Sequence, residues 1–459
     1  MSDSFGKLLI ARVTGIRLLP GQIVALAAIT LIFLGAGLLM LPFATRPGVQ
    51  ASFLDMLFTA TSAVCVTGLI VMDTPQDFTL FGQGVILVLI QVGGLGYALT
   101  ATLILLILGR RLGLRDRMML SESMNTMDLQ GLVRFVKLVG IITFVLEGLG
   151  AVLLTLRFAV DFPWGTAAYY GIFHAISAFN NAGFALFSDS LKSFQTDWTI
   201  NGVITILVIF GSIGFLVFED LLDNFRGNRF RLQTHTKLVL LTTTILIVVG
   251  TLGITILEWN NPSTFQSSSI GETLTLSYFH AVNRTAGFTT IDIVDMRDAT
   301  LYFLLLLMAI GGSPGSFSGG IKTTTAAIVF LTIISMLRRE KDVEVFHRRI
   351  PQDLITRALC LTILAFALIT GMTLLLDSTE SQSFLSLMFE VTSALGIVGM
   401  SVGNGDTASL SALFTDFGKV MIMLSMLLGR FGPLMIGLFA IQTSISKPYR
   451  YAQARVVIG

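Results

Sequence analysis

The chain has 459 residues, of which 53% are apolar and only 13% charged, with a net charge of +2 and a mean hydropathy of +0.81. An ordinary globular chain is roughly 25% charged, so this one cannot cover a water-facing surface with polar groups, and it reads as an all-α integral membrane protein. Cytosolic enzymes and disulfide scaffolds are excluded together, and no bulk positive field exists to hold nucleic acid.

Residues 1–20 carry Lys7, Arg12 and Arg17 among Leu8, Leu9, Ile10, Val13 and Ile16, with no cleavable signal evident. That pattern suits a short amphipathic helix on the membrane surface, or else a frayed tail. Apolar runs long enough to span, about 20 residues, follow at 21–42, 79–109, 136–158, 199–223, 237–258, 299–337, 354–376 and 416–442, which makes eight. Between the members of each pair lies a shorter apolar stretch, at 51–66, 167–180, 272–283 and 383–396, suited to a re-entrant helix. The organisation expected is an N-terminal segment 1–20, four repeats at 21–117, 118–231, 232–349 and 350–446, and a tail at 447–459. The tail ends Arg455-Val456-Val457-Ile458-Gly459, an apolar terminus suited to docking on a neighbour.

The charges choose an orientation. Of 30 Lys and Arg, 22 fall in the N-terminal segment, the linkers 110–137, 226–237 and 338–357, and the tail. The positive-inside rule then puts both termini in the cytoplasm, and the four short helices enter from outside. Arg46, Arg157, Lys192, Arg284, Arg297 and Lys419 are expected on the outer side, whereas Lys322 and Arg430 fall inside spans. Cys65 and Cys360 come near opposite faces, too far apart to bridge.

The four short segments are versions of one another: LFTATSAVCVTGL at 57–69, IFHAISAFNNAGF at 172–184, YFHAVNRTAGF at 278–288 and MFEVTSALGIVGM at 388–400. Phe58, Phe173, Phe279 and Phe389 open them, and Gly68, Gly183, Gly287 and Gly399 close them. Four copies of span, pore helix, glycine loop and span suggest pseudo-fourfold symmetry about an axis. A cation entering a membrane must exchange its water for other oxygens, and backbone carbonyls can supply them. Glycine lets the chain turn its carbonyls inward, and irregular backbone at this depth is tolerable only where it lines a cavity. A single copy would read more plainly as a helix cap; four aligned copies favour a pore. Phe279 stands two residues closer to its glycine than the other three do, so the third pore helix or its loop is expected to be shorter.

The sixth run is nearly twice what a bilayer needs, and its middle, Gly311-Gly312-Ser313-Pro314-Gly315-Ser316-Phe317-Ser318-Gly319-Gly320, cannot hold a helix. Two half-helices therefore bracket a loop at membrane depth, which is either a gate or a packing kink. Lys322 and Arg430 are intramembrane charges, functional candidates by default, although Lys322 could instead snorkel along its half-helix. Glu147, mid-span, either hydrogen-bonds within the bundle or takes part in transport. Thr59, His174, His280 and Glu390 share one column of the repeat and are expected to anchor the pore helices.

The segments Val66-Thr67-Gly68, Asn181-Ala182-Gly183 (within the Asn180–Phe184 run), Thr285-Ala286-Gly287 (within Arg284–Phe288) and Ile397-Val398-Gly399 resemble the four selectivity-filter segments of the Trk/Ktr/HKT potassium transporter superfamily. The resemblance covers nearly the whole chain and is strongest to the membrane subunits of bacterial Ktr systems. It implies K⁺ bound in the filter and gated, channel-like K⁺ uptake across a bacterial plasma membrane. It also implies Na⁺ as an activator in some members, a homodimer, and a separate cytoplasmic regulatory ring of RCK fold, KtrA-like, that carries ATP or ADP. Relatives with serine at the first filter position favour Na⁺; Gly68 here favours K⁺. Residues 311–320 match the family's intramembrane gate, and Arg430 matches an arginine beside its pore. No covalent cofactor and no enzymatic activity are implied.

Two motifs point elsewhere. Gly311-Gly312-Ser313-Pro314-Gly315 fits the G-x-S-x-G of a hydrolase, but no strand precedes it and no histidine pairs obviously with Ser313. Gly320-Ile321-Lys322-Thr323 lacks the adjacent Gly-Lys of a phosphate loop. A secondary cation carrier, K⁺/Na⁺ symporter-like, is the main alternative to a pore, and an intramembrane serine protease a remote one.

Overall fold

The computed structural model describes residues 20–96, 132–226, 231–265, 269–403 and 408–441. The amphipathic segment expected at 1–20 lies almost wholly outside the described residues, as do the far half of the second run, most of the 110–137 linker and the tail.

The regular structure of the described chain is helical except for one hairpin of two-residue strands, Glu344–Val345 with Arg348–Arg349. The first repeat gives α1 (Pro20–Leu39), α2 (Phe53–Cys65) and α3 (Leu80–Leu95). The second gives α4 (Leu132–Phe158), α5 (Trp164–Phe179), α6 (Trp198–Ile213) and α7 (Phe215–Arg226). The third gives α8 (Thr234–Glu258), α9 (Ile270–Asn283), α10 (Asp298–Ala309) and α11 (Thr323–Leu337). The fourth gives α12 (Gln352–Asp377), α13 (Phe384–Gly396) and α14 (Asp416–Ile441).

Among the described residues, three helices are long and apolar enough to cross a membrane, covering Arg134–Phe158, Thr234–Glu258 and Gln352–Asp377. Their outer faces are apolar: Ile141, Phe144, Val145, Leu149, Val152 and Leu156 of α4 are all exposed. Such a stripe is stable only against lipid or another protein. The run at 199–223, expected as one span, is instead α6 and α7, bent by 93° at Gly214. Gly214 has φ +94, and a Cβ built there would meet the Pro314 carbonyl oxygen at 2.5 Å. The break exists because the loop of the third repeat presses into it. Periodicity alone carries no trace of that contact.

Packing follows a cycle. The second helix of each repeat rests on the short helix of the next: α3 on α5, α6 on α9, α10 on α13, and α14 back on α2. Four hydrophobic clusters sit at these junctions. Phe173 inserts into the core of the first repeat, Phe279 into that of the second, Phe389 into that of the third and Phe58 into that of the fourth. All four rings are buried. Burying one phenylalanine contributes about 1.5–3 kcal/mol, so the residue that opens each segment also fastens neighbouring repeats together.

At one end of the molecule, polar clamps join the first long helix of a repeat to its second. Thr79 donates to the Phe43 carbonyl at 2.7 Å, Arg157 to Asp197 at 2.5 Å, Thr300 to Glu258, and Thr415 to Glu380 at 2.6 Å. Lys419 and Asp55, mostly buried, pair at 2.8 Å and tie α14 to the first turn of α2. Asp55 also completes a capping box with Ser52 there. Cys65 and Cys360 are both free thiols.

Candidate functional site: a closed ring of glycine loops

Each short helix ends in a tight turn at the centre of the cycle. In the first repeat the Val66 amide donates to the Ala63 carbonyl at 3.1 Å and the Thr67 amide to the Ser62 carbonyl at 2.8 Å. The Ser62 hydroxyl then takes the Gly68 amide at 3.0 Å. The fourth repeat repeats this with Ile397, Val398 and Gly399, Ser393 Oγ accepting at 3.1 Å. In the second, the Asn181 and Ala182 amides donate to Ala178 and Ser177, and Ser177 Oγ donates to the Phe184 carbonyl at 2.7 Å. Val66, Asn181 and Ile397 are left-handed, with φ of 61°, 58° and 55°; asparagine tolerates this region, but for β-branched Val66 and Ile397 it is strained and surrounding structure must hold it. The third repeat differs. Ala281 stands where the others have serine, and the Ala286 and Gly287 amides both fold back onto the Asn283 carbonyl. The shortening read from Phe279 falls in the helix, which ends at Asn283.

The four loops meet. A Cβ added to Gly68 would fall on the carbonyl oxygen of Ala182, one on Gly183 on that of Ala286, one on Gly287 on that of Val398, and one on Gly399 on that of Thr67. All four glycines have positive φ, at 94°, 70°, 77° and 90°. Each glycine thus lies against the carbonyl of the residue preceding the next glycine, and the contacts close into a ring. Asn181 adds a lateral link, its Nδ2 donating to Thr285 Oγ1 at 3.1 Å. All twelve residues of the four triplets are brought together. Only glycine fits at the four closing positions, for two independent reasons: conformation and contact.

Beneath the ring lies the loop 311–320, which is ordered by hydrogen bonds rather than slack. Its ends are zipped: Gly311 donates to Ile321 at 2.9 Å, Ile321 to Ala309 at 3.0 Å and Thr323 to Gly312 at 3.1 Å. Gly312 donates to Ser318 Oγ at 3.0 Å, and Ser316 Oγ to the Ser313 carbonyl at 2.6 Å. The break at Gly214 receives the loop, with Ser313 donating to Ser212, Phe317 to Gly211, and Phe215 to Gly315. Phe317, buried, packs edge-on between Phe179 at 5.3 Å and Phe215 at 5.2 Å. Gly319 leaves no room for a side chain against Ile397, and Gly320 has φ +69. Pro314 and Gly315 form the turn that fits the break.

Three cations, Arg284 buried and Arg430 and Lys322 half-buried, hold this loop through carbonyls. Arg430 donates to Phe317 O, and to Gly93 and Gly94 at the end of α3 at 2.6 and 2.9 Å. Lys322 Nζ donates to the Ser318 carbonyl at 2.6 Å, so it folds back on the loop rather than following its half-helix. Arg284, expected on the outer side, is buried instead and donates to Ile310 O at the broken end of α10. Its side chain leaves the glycine loop inward, where the freed carbonyls of the interrupted helix need donors. Among the described residues, no serine hydroxyl pairs with Arg430. Ser313 Oγ meets Thr323 Oγ1 at 2.9 Å and no histidine, so the hydrolase motif is not a catalytic pair.

Of the column residues, His174 and Glu390 reach beyond their own helix, whereas Thr59 and His280 bond only one turn back within theirs. Thr59 donates to Asp55 O at 2.9 Å, His174 bridges Tyr170 O and the Leu186 amide, and His280 pairs with Leu276 O at 2.9 Å. Glu390 accepts from Ser401 at 2.6 Å and from the Ser411 amide at 3.0 Å. Sequence reasoning passed over Ser62, Ser177 and Ser393, although the Ser-Ala pair six residues before each of three ring glycines was visible. Nothing local marked Gly214, Gly211 or Ser212.

The described chain thus places an interrupted helix under a ring of glycine loops that joins four short helices. The family model described as TrkH, cation transport protein, matches residues 20–447, and the chain belongs to that family. It is similar to Ktr system potassium uptake protein B of Bacillus subtilis, 40% identical over 97% of this chain and 98% of that one. Ktr system potassium uptake protein D of the same organism is 37% identical over the full length of both. Potassium/sodium uptake protein NtpJ of Enterococcus hirae is 35% identical over 96% and 98%. Among solved structures, the potassium transporter TrkH from Vibrio parahaemolyticus shares the fold, with a TM-score of 0.71 at 21% identity over 92% of this chain and 84% of that one.

Proposed function

We propose that this chain is the translocating subunit of a Ktr-type potassium uptake system, an eight-span protein of the bacterial plasma membrane with both termini cytoplasmic. The observation that carries the reading is the closed ring: four glycines with positive φ, each against the next repeat's carbonyl. Such a ring offers oxygens in place of an ion's hydration shell. Val66, Thr67, Gly68 and their counterparts are then the filter, with K⁺ as cargo. The loop 311–320, held by Arg430, Lys322 and Arg284, is the gate. The membrane potential supplies about 2.3 kcal/mol per charge per 100 mV, enough to drive uptake without nucleotide hydrolysis by this chain. ATP or ADP would act through a separate RCK-type ring, since the cytoplasmic linkers are too short to fold a nucleotide domain. The chain works as a homodimer, and Na⁺ stimulates it.

The name of NtpJ, potassium/sodium uptake, motivates a second reading as a cation carrier. Four repeats in a parallel cycle favour a pore over the two-repeat architecture common in carriers. The test is K⁺ uptake in a bacterial strain lacking its own K⁺ transport, with and without a co-expressed RCK subunit. A pore gives K⁺ uptake that the subunit stimulates and that does not saturate at low turnover. Absence of uptake by correctly inserted protein with the subunit present refutes the proposal.

A further inference from the structure

We infer that Glu147 is a positioning residue for ion selectivity: through Asn180 it holds the second filter segment at its place in the ring. The inference rests on the filter reading above and goes beyond it.

The third residue before each ring glycine is Cys65, Asn180, Arg284 or Gly396. Cys65 packs in an apolar core, and Gly396 carries no side chain. Arg284 reaches the carbonyls at the end of α10. Asn180 alone of the four reaches a carboxyl. It caps α5, is fully buried, and directly precedes Asn181-Ala182-Gly183. Its Nδ2 faces three acceptors: Glu147 Oε1 at 3.0 Å, Gln91 Oε1 at 3.2 Å and Ile176 O at 2.9 Å. The three acceptors share the two hydrogens of Nδ2, and their grouping assigns the amide nitrogen, not the oxygen, to that side. Glu147, on α4, is itself buried.

A carboxyl at this depth is costly, and its hydrogen bond to Asn180 identifies what it does. Asn180 is also fenced in by backbone: a Cβ on Gly94 would fall on its Oδ1. The second segment supplies both the Ala182 carbonyl beside Gly68 and the Gly183 that lies against Ala286. A shift of Asn180 therefore moves two of the ring's four contacts at once. Without Glu147, Asn180 is tied only to its own helix and to Gln91, and the ring loosens on one side. A looser ring accommodates Na⁺ and K⁺ more equally. Accepting from Asn180 requires an oxygen, not a charge, so glutamine can substitute.

The experiment measures initial K⁺ and Na⁺ uptake in the transport-deficient strain for Glu147→Ala, Glu147→Gln and Asn180→Ala, with Gly68→Ser alongside. Monodisperse elution in mild detergent is the check on folding. Glu147→Ala should lower the K⁺/Na⁺ ratio several-fold, and Glu147→Gln should restore it toward wild type. Asn180→Ala should lower it as Glu147→Ala does, with no further loss in the double variant, because the two act through one contact. A merely structural role would lower the amount of protein and leave the ratio alone. A folded Glu147→Ala with the wild-type ratio overturns the inference, as does a Glu147→Gln that fails as badly as alanine. If Glu147→Ala does not accumulate, Asn180→Ala and Glu147→Gln decide together: a wild-type ratio in Asn180→Ala overturns the inference, and a lowered ratio there with a near-wild-type ratio in Glu147→Gln supports it. If Gly68→Ser also leaves the ratio unchanged, the filter reading itself is at fault; if only Gly68→Ser lowers it, this inference alone fails.

Discussion

Replacing Arg430 with glutamine tests whether the loop under the ring obstructs the pore. The arginine joins three carbonyls on two elements: Phe317 in the loop, and Gly93 and Gly94 at the end of α3. Glutamine is shorter and has one NH₂ group, so it cannot serve both sides. A hydrogen bond from a charged donor is worth about 1.5–3 kcal/mol, and about 1.4 kcal/mol is tenfold in an equilibrium. Losing the Phe317 contact should therefore shift the loop's closed-to-open balance by roughly 10- to 100-fold. The other tethers remain: Lys322 on Ser318, and the Gly211, Ser212 and Phe215 backbone contacts. They limit the displacement, so the expected gain in basal flux is several-fold. The assay is initial K⁺ uptake without the regulatory subunit, normalised to inserted protein. Shortening 311–320 should also raise basal flux and weaken dependence on that subunit. The double variant should not exceed the stronger single one, because both act on one element. Uptake at or below wild type in Arg430→Gln and in the shortened loop would falsify the gate reading and leave the loop a structural joint.

Gly68→Ser should weaken K⁺/Na⁺ discrimination: a left-handed non-glycine residue costs about 1–2 kcal/mol, and the new Cβ displaces the Ala182 carbonyl; an unchanged uptake ratio refutes this. Phe317→Ala removes both edge-on ring contacts, at about 3–5 kcal/mol for a buried phenylalanine. It should lower the thermal unfolding midpoint and raise basal flux together; a lower midpoint with unaltered flux means the ring serves only the core. Lys419→Met leaves the Asp55 carboxylate without its cation and should cost about 1–3 kcal/mol, read as a lower unfolding midpoint in detergent. If the chain forms the proposed homodimer, deleting 455–459 should loosen it, and a truncated protein that still elutes as a full dimer argues against the tail's role.

The repeat was legible because it is written locally. Phe58 and Gly68, with their counterparts, recur at corresponding places, and the short apolar stretches between long ones mark helices that enter and turn back. The half-helices at Asp298–Ala309 and Thr323–Leu337 follow as directly, since five glycines and a proline in ten residues cannot sustain a helix. Periodicity, propensity and repetition act over a few residues at a time, and these features need nothing more.

Other features depended on partners distant in the chain. Gly214 sits in an apolar run that could have remained one helix; it breaks because Ser313, Gly315 and Phe317 claim the amides and carbonyls around it. Arg284 carries the same charge as the outward-facing arginines, and only the unpaired carbonyls of the interrupted helix α10 draw it inward. Asn180 and Glu147 are 33 residues apart, and no spacing rule joins them. The sequence by itself determined which segments are helical and how often the pattern recurs, because those depend on neighbours along the chain. The tertiary structure alone decided which carbonyl each glycine faces and which backbone groups the three cations satisfy, because buried polar groups in a membrane must find partners wherever the fold brings them.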